Sequence, residues 1–262
     1  MKAYPTPKVQ RFMFMAATVP ESPLAADFVT FIVGHVPKLM AAGLRGYNWL
    51  AMNGTSPISP GQRWSGLAGV MTLLNKGPEV VQEIMGALND TVLERFNGTA
   101  FVQTMPVQSY DSWLDYYEVN FDNNTSGGSA IMVSRLLDEE ALAGNHEPLK
   151  KALQAATEGT EMIDFYLLGG KGVHNAKPRG GSNAVNPGWR KAYVHTRKFT
   201  GRAYLKLGGS QLTRFRNSSH GPIQAVRQGR REKGEGAARQ RVRATPQTDA
   251  QHGGVHQRGR AP

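Results

Sequence analysis

Apolar and polar positions follow two periods along the first two hundred residues. Short segments with partial alternation, typical of half-buried strands, are separated by longer segments in which apolar residues recur every three or four positions, as on one face of a helix. The predicted strands are 9–18, 46–52, 66–74, 99–105, 129–136, 161–170 and 183–195. The predicted helices are 22–43, 78–96, a short one within 109–122, and 138–157 with an interruption at 145–148.

Local signals define the ends of the first two helices. Ser22 is a typical cap residue and precedes a proline, while Gly43 ends the apolar periodicity. Pro37 is expected to kink this helix near its end. Pro78 opens the second helix and Asn97-Gly98 closes it, so both helices have residue-level start and stop signals.

The order strand–helix–strand occurs three times, with no repeat in the sequence itself. The strands mix polar residues with apolar ones, whereas strands buried on both faces of a parallel sheet are almost continuously apolar. We therefore predict an α+β fold, with a ferredoxin-like antiparallel sheet and helices on one face, over residues 1–195.

The pattern ends at Thr196, and residues 196–262 are predicted to be a disordered, low-complexity basic tail. The chain has a formal net charge of +11, and residues 197–262 carry 15 Lys and Arg against three acidic residues. Residues 1–196 carry 16 basic and 17 acidic groups and offer no basic face. Nucleic-acid binding through the tail is therefore an alternative function, but no specific nucleic-acid recognition is predicted.

Other classes are excluded by what the sequence lacks. Cysteine is absent, which excludes disulfides, thiolate metal sites and cysteine nucleophiles. No uninterrupted apolar stretch approaches the roughly 20 residues of a membrane span, so no membrane partner is predicted. No signal peptide is evident at the start, where Arg11 interrupts the apolar run, and localisation stays unassigned.

No independent catalytic set emerges from the titratable residues. An acidic and aromatic stretch has the spacing of a pocket rim with a general base, but an amphipathic helix with a solvated acidic face is the favoured interpretation. Its carboxylates are Asp111, Asp115, Glu118 and Asp122. His252 and His256 have metal-like spacing but lack a third ligand, and the glycines of 169–172 lack the spacing of a phosphate loop.

One segment carries a family resemblance. Residues 180–190 read GGSNAVNPGWR, which resembles the A-x-x-P-x-W-R signature of fungal FAD-linked oxidoreductases of the berberine-bridge-enzyme type. The opening KAYPTPKVQRFMFMA is similar to the point where the chain of that family leaves its flavin domain and enters its substrate domain. The resemblance covers about residues 1–195.

The resemblance implies a two-part protein in which one domain holds FAD and the other lays an antiparallel sheet over the isoalloxazine ring. It places Asn183, Asn186, Trp189 and Arg190 nearest a small-molecule substrate. The alternative for these residues is structural, since Pro187-Gly188 marks a turn and a neighbouring Trp commonly packs into a core.

The sequence departs from the family pattern at both ends, where the flavin domain and the C-terminal return segment are missing. We expect a truncated fragment, produced by a frameshifted or misread gene, that is inactive alone and binds no FAD. The relatives implied are oxidases of fungal secondary metabolism, for example of alkaloid and ergot-type pathways. A non-catalytic binding module is a further alternative.

Overall fold

A computed structural model describes residues 5–19, 21–56, 61–121, 131–181 and 184–200. All of them belong to the first of two compact units, Met1–Ser210. Position 183 and the predicted tail from 201 onward lie outside the described residues, as do His252 and His256.

Eight strands and six α-helices make up the described part of the chain. The strands are β1 (Val9–Thr18), β2 (Arg45–Thr55), β3 (Arg63–Leu74), β4 (Ala100–Thr104), β5 (Gln108–Tyr110), β6 (Ile131–Leu137), β7 (Ile163–Leu167) and β8 (Val194–Thr200). The helices are α1 (Ala25–Ala41), α2 (Pro78–Phe96), α3 (Trp113–Asn120), α4 (Glu139–Ala143), α5 (His146–Thr157) and α6 (Lys171–His174). A 3-10 helix spans Pro187–Arg190.

All eight strands form one sheet in the order β4-β1-β3-β2-β7-β8-β6, and β5 pairs with β1 beyond the end of β4. Every strand pair in it is antiparallel. The predicted α+β class and antiparallel sheet are confirmed. In the first half, α1 connects β1 to β2 and α2 connects β3 to β4, so that β1 and β3 lie between β4 and β2.

The main core lies between one face of the sheet and helices α1, α2, α4 and α5. Alternate strand positions enter it, because successive side chains of a strand point to opposite faces. These positions include Phe12, Phe14, Leu50, Leu67, Met71, Ile163, Phe165 and Val194. From α1, Phe28, Ile32 and Val36 fill the space at helical spacing. Phe28 packs edge to face against Phe96 of α2, with ring centroids 5.2 Å apart.

The helix ends follow their sequence signals closely but not completely. The helix α2 begins at Pro78 and ends at Asn97, which takes a left-handed φ of 46°. The first helix starts at Ala25, because the Ser22 hydroxyl accepts a hydrogen bond from the Leu24 amide and holds a turn ahead of it. Pro37 lies within α1, which continues to Ala41.

Two sequence predictions need correction. The strand predicted at 183–195 is instead the 3-10 helix followed by β8, because Asn186 caps Pro187–Arg190 and starts a helical turn. The strand therefore continues five residues past 195. The helices also do not all share one face. Tyr116 of α3 packs edge to face on Tyr110, which shares Gln108 Oε1 with Arg11. Arg11 follows the alternation of β1 away from the core residue Phe12, so this contact lies on the face opposite the main core.

The predicted helical region 138–157 is two helices, α4 and α5, separated at Gly144–Asn145. Among the described residues, no helix combines the length and the apolar character needed to cross a membrane.

Candidate functional site

The sheet face opposite the main helices, which we call the open face, carries a different set of side chains from the core. Its members alternate with the core residues along each strand. They include Arg11, Met13 and Met15 of β1, Tyr47 and Trp49 of β2, Val70 and Thr72 of β3, Asp164 and Tyr166 of β7, and His195, Arg197 and Phe199 of β8.

Strand register brings polar and aromatic residues of the open face into two rows. In one row Trp49 pairs with Asp164, which pairs in turn with Arg197. In the next row Tyr47 pairs with Tyr166, which pairs with His195. Directly opposite side chains in antiparallel strands lie close enough to interact. The register alone therefore assembles a cluster from three strands.

At the centre of the cluster is an ion pair that is largely buried. The Arg197 guanidinium donates from Nη2 to Asp164 Oδ2 at 2.7 Å and to the Tyr166 hydroxyl oxygen at 2.6 Å. The side chain of Asp164 is 5% exposed and that of Arg197 is 26% exposed. The guanidinium also lies 4.5 Å from the centroid of the Tyr166 ring. Its Nε is buried and makes no hydrogen bond within the described part of the chain.

Burial dominates the protonation behaviour of this cluster. It raises the pKa of Asp164 by more than Arg197 and Tyr166 lower it. Burial, reinforced by the Asp164 charge, also raises the pKa of Tyr166. The pKa of His195 is lowered by burial and by the Arg197 charge, so its imidazole is mainly neutral at pH 7. The cluster thus holds a paired carboxylate beside a neutral histidine.

Aromatic rings form the accessible part of this surface. Tyr47 is 58% exposed and packs edge to face on Tyr166, with centroids 4.8 Å apart. At the opposite side Trp189 packs edge to face on His195 at 5.4 Å. Such an arrangement provides flat apolar contact area with a polar group at each end, which suits a planar ligand.

The structure assigns local contacts to the residues predicted from the signature segment. Asn186 Oδ1 accepts a hydrogen bond from the Gly188 amide at 2.8 Å and caps the 3-10 helix. Arg190 donates from Nη1 to the carbonyl of Val173 at 3.3 Å. Trp189 is the predicted residue that reaches the open face, through His195. Asn183 lies outside the described residues.

Sequence reasoning missed Asp164, Tyr166 and Arg197. One signal was present: Asp164 is the single charged residue in IDFYL, whose five positions are all buried. A buried carboxylate requires a partner. The partner, Arg197, lies 33 positions further along the chain, just beyond the point where the apolar pattern ends.

Two cavities are lined mainly by residues outside the open face, although Phe199 borders the first of them. A cleft of about 1040 Å³ is lined by Arg63, Glu161 and Lys198, among others. Its cations already have partners: Arg63 lies 3.7 Å from Glu161, and Lys198 donates to the carbonyl of Glu158. A smaller cavity of about 570 Å³ lies under α4 and α5, where its lining includes Leu149, Leu153 and Phe165.

One group of side chains has metal-like proximity. Asp27, His146 and Glu147 place ligand atoms within 4.8 Å of one another. Lys150 Nζ, however, lies 2.8 Å from Asp27 Oδ1 and already supplies a positive charge there. This group is therefore explained by an ion pair, without a metal ion.

The glycine pair ahead of α6 does not have the form of a pyrophosphate-binding loop. A pyrophosphate normally lies against a glycine-rich loop and the N-terminus of a following helix. Here the helix after Gly169-Gly170 has four residues, and the space a Cβ of Gly170 would need contains the Arg45 guanidinium. The open face offers contact area for a flat ring, whereas the loop at Gly169-Gly170 is closed by Arg45.

Comparison with known proteins identifies the relatives of this chain. It is 26% identical over 206 residues to the FAD-linked oxidoreductase apf9 of Gibberella fujikuroi, a match that covers 74% of this chain and 34% of that protein. The chain therefore spans about a third of the length of this relative. No family model matches the chain.

Two solved structures share the fold. The VAO-type flavoprotein MtVAO713 of Myceliophthora thermophila superposes with a TM-score of 0.61 at 18% identity, over 75% of this chain and 35% of that one. The VAO-type flavoprotein MtVAO615 of the same organism superposes with a TM-score of 0.56 at 9% identity, over 75% and 34%. The predicted resemblance to fungal FAD-linked oxidoreductases is confirmed, and it extends over part of their length.

Proposed function

We propose that this chain is the substrate-covering part of a fungal FAD-linked oxidoreductase, and that its open face lies toward the isoalloxazine ring and a small-molecule substrate. The observation that carries the proposal is the aromatic surface around Tyr47, built on a buried ion pair, within a fold that matches about a third of a VAO-type flavoprotein. A sheet with one helix-covered face and one aromatic face is suited to close over a flat ring.

The same surface indicates which part of the reaction this chain would support. In flavin oxidases the bound flavin accepts the electrons, and the protein binds and orients the substrate. We infer that the grip on FAD comes from a region that the described residues do not include, and that the chain alone is inactive. Trp189 and His195, with Tyr47, are the residues we assign to substrate contact.

Two finer assignments belong to the same proposal. We class β1–α1–β2–β3–α2–β4 as a ferredoxin-like unit, which its strand order β4-β1-β3-β2 supports. We also propose a role in fungal secondary metabolism, for which the support is the resemblance of the signature segment ending in Trp189 and Arg190.

The test is a titration of the full chain with lumiflavin, an isoalloxazine ring without phosphates, followed by nuclear magnetic resonance. The expected result is weak binding, on the order of millimolar, because a ring without its phosphates makes few polar contacts. Shifts should concentrate on Tyr47, Val70 and His195. Tyr47→Ala should weaken binding several-fold, by about the 1 kcal/mol of one aromatic contact.

A matched control is Leu114→Ala, which removes an exposed apolar side chain of α3, 61% exposed, without changing the rows of the open face. The proposal fails if the shifts fall on the cleft at Arg63 and Lys198, or if no resonance moves. It also fails if the chain retains stoichiometric FAD through purification, because the chain would then bind FAD without a further region.

A further inference from the structure

A second polar cluster occupies the other end of the open face, around Arg11. This residue lies on β1 between Thr72 of β3 and Gln108 of β5, each directly opposite it in register. The helix α3 contributes Tyr116, whose ring packs edge to face on Tyr110 at 5.5 Å. The Tyr110 hydroxyl and Arg11 both donate to Gln108 Oε1. Arg11, Gln108, Tyr110 and Tyr116 are all half-buried, so they are shielded from water but not sealed.

Most of the hydrogen-bonding capacity of Arg11 is unused. Its one hydrogen bond within the described residues goes from Nη1 to Gln108 Oε1 at 2.8 Å, whereas a guanidinium has five N–H donors. No described carboxylate lies within ion-pair distance of it. The nearest acidic residue in sequence to this strand pair, Asp111, pairs instead with Lys8 at 3.6 Å.

This lack of a counter-charge is unusual for a shielded cation. Burial lowers the pKa of Arg11, and the compensating interactions come from Tyr110 and Tyr116 rather than from an acid. Arginine stays protonated in proteins. The site therefore carries one uncompensated positive charge in surroundings that are poorly hydrated, which strengthens its attraction for an anion.

Aromatic residues provide both walls and further donors. Tyr110 and Tyr116 pack edge to face with centroids 5.5 Å apart, and the Trp113 ring lies 4.9 Å from that of Tyr116 at a tilt of 37°. The Tyr116 hydroxyl makes no hydrogen bond within the described part of the chain, and burial raises its pKa, so it keeps its proton. A neutral phenol next to a guanidinium is a second donor for the same anion.

We propose that Arg11 and Tyr116 form a binding site for the carboxylate of a small planar acid whose aromatic body lies against Tyr110 and Trp113. One guanidinium with unused donors favours a monoanion, because a phosphate dianion would need further positive charge. The other arginine in this row, Arg45, already donates to the carbonyls of Met40 and Leu44. A guanidinium matches both oxygens of a carboxylate. Thr72 and Gln108 hold the base of the site.

As a part of the substrate surface, this site depends on the proposed function, and it specifies an acidic substrate. Binding itself needs no flavin. The two proposals therefore fail separately: lumiflavin reports on the end of the open face at Tyr47 and His195, and an organic acid reports on the end at Arg11.

The experiment is a calorimetric titration of the full chain with benzoate and with benzamide, which has the same ring but no charge. Benzoate is expected to bind about tenfold more tightly, the size of one charge-assisted hydrogen-bond difference. Arg11→Gln should reduce this preference to less than about twofold, and Tyr116→Phe, which removes a single oxygen, should weaken benzoate binding by about threefold.

Lys38→Gln is the control for charge, since it removes one exposed positive charge from α1 on the helix-covered side. It should leave the preference unchanged. Circular dichroism verifies the fold of each variant, and Tyr116→Phe serves if Arg11→Gln does not fold. Equal binding of benzoate and benzamide, or a preference that survives in Arg11→Gln, would overturn the proposal. Inorganic sulfate competing as well as benzoate would overturn the assignment to an organic acid.

Discussion

Arg197 and Arg11 lie on the same face of one sheet, yet their surroundings differ in one respect. Arg197 has a buried carboxylate, Asp164, at 2.7 Å and a phenol oxygen at 2.6 Å. Arg11 has an amide oxygen at 2.8 Å and no acid among the described residues. A charge that the fold compensates contributes to structure, whereas a charge that it leaves uncompensated is available to a ligand.

The difference also separates what each cluster does. The Asp164–Arg197 pair lies beside Trp49 in register, and its hydrogen bond to the Tyr166 hydroxyl holds the ring on which Tyr47 packs. The Arg11 cluster is lined by rings but has unused donors. Substitutions in the Asp164–Arg197 cluster are therefore expected to change the stability of the fold more than ligand binding. Substitutions in the Arg11 cluster are expected to change ligand binding more than stability.

The largest expected effect is on stability. Arg197→Met keeps the length of the side chain but leaves Asp164 buried without its cation, so it should lower the free energy of unfolding by about 3 kcal/mol. Arg11→Met removes a shielded cation that has no acid partner, and its effect should stay within about 0.5 kcal/mol in the absence of ligand. Urea unfolding of both variants measures the contrast. Equal losses for the two would show that the compensation of charge is not what distinguishes the clusters.

This contrast marks the limit of what the sequence predicts. The strand β1 and the bounds of α2 follow from alternation around Phe12 and Phe14 and from Pro78 and Asn97, all of which are local signals. The pairing of Asp164 with Arg197 depends on β7 and β8 being neighbours, which is a non-local fact. Because β8 is rich in polar residues, the hydrophobic pattern does not identify it.

Arg11 illustrates the same limit from the other side. In the sequence it interrupts an apolar run, and only the sheet shows that it alternates with Phe12 and donates to Gln108 of β5. In the signature segment, Asn186 caps the 3-10 helix through the Gly188 amide, and Trp189 packs on His195. Both contacts join residues close in sequence, where local signals are informative. In the stretch 109–122, the α3 carboxylates Asp115 and Glu118 are exposed, which fits a helix with a solvated acidic face, and Asp122 lies outside the described residues.

The pH dependence of Arg197→Met should follow the raised pKa of Asp164. The folded state holds the Asp164 proton at pH values where the unfolded chain, with a pKa near 3.8, has released it. Stability therefore falls as pH rises from that value through the raised folded-state pKa, and then levels off. Removing Arg197 takes away an interaction that lowers this pKa, so the variant should show a larger fall than the wild type.

The measurement is urea unfolding at several values between about pH 4 and pH 8, where the deficit of Arg197→Met should shrink by about 1–2 kcal/mol on the acidic side. The double variant Asp164→Asn with Arg197→Met has no carboxylate to titrate and should lose this component. A deficit that stays constant with pH, or one that grows toward acid, would contradict the assignment of the loss to the buried Asp164 charge.

The smallest expected effect comes from a substitution that gives Arg11 a carboxylate partner, as Arg197 has in Asp164. Gln108→Glu places a carboxylate where an amide oxygen now accepts from Arg11 at 2.8 Å and from the Tyr110 hydroxyl at 3.4 Å, so both hydrogen bonds survive. The new pair should raise the free energy of unfolding by about 1 kcal/mol. A hydrogen bond between charged groups is stronger than one with a neutral acceptor, and the desolvation of the acid offsets part of this gain.

The same change should abolish the preference for benzoate, because Arg11 then has its own anion. Gln103→Glu adds an equal charge to the neighbouring strand β4 opposite Met15, and it should change neither quantity. Stabilisation by Gln108→Glu with benzoate binding intact would mean that the acid binds elsewhere, and loss of binding with strong destabilisation would mean that the site cannot hold an anion of any origin.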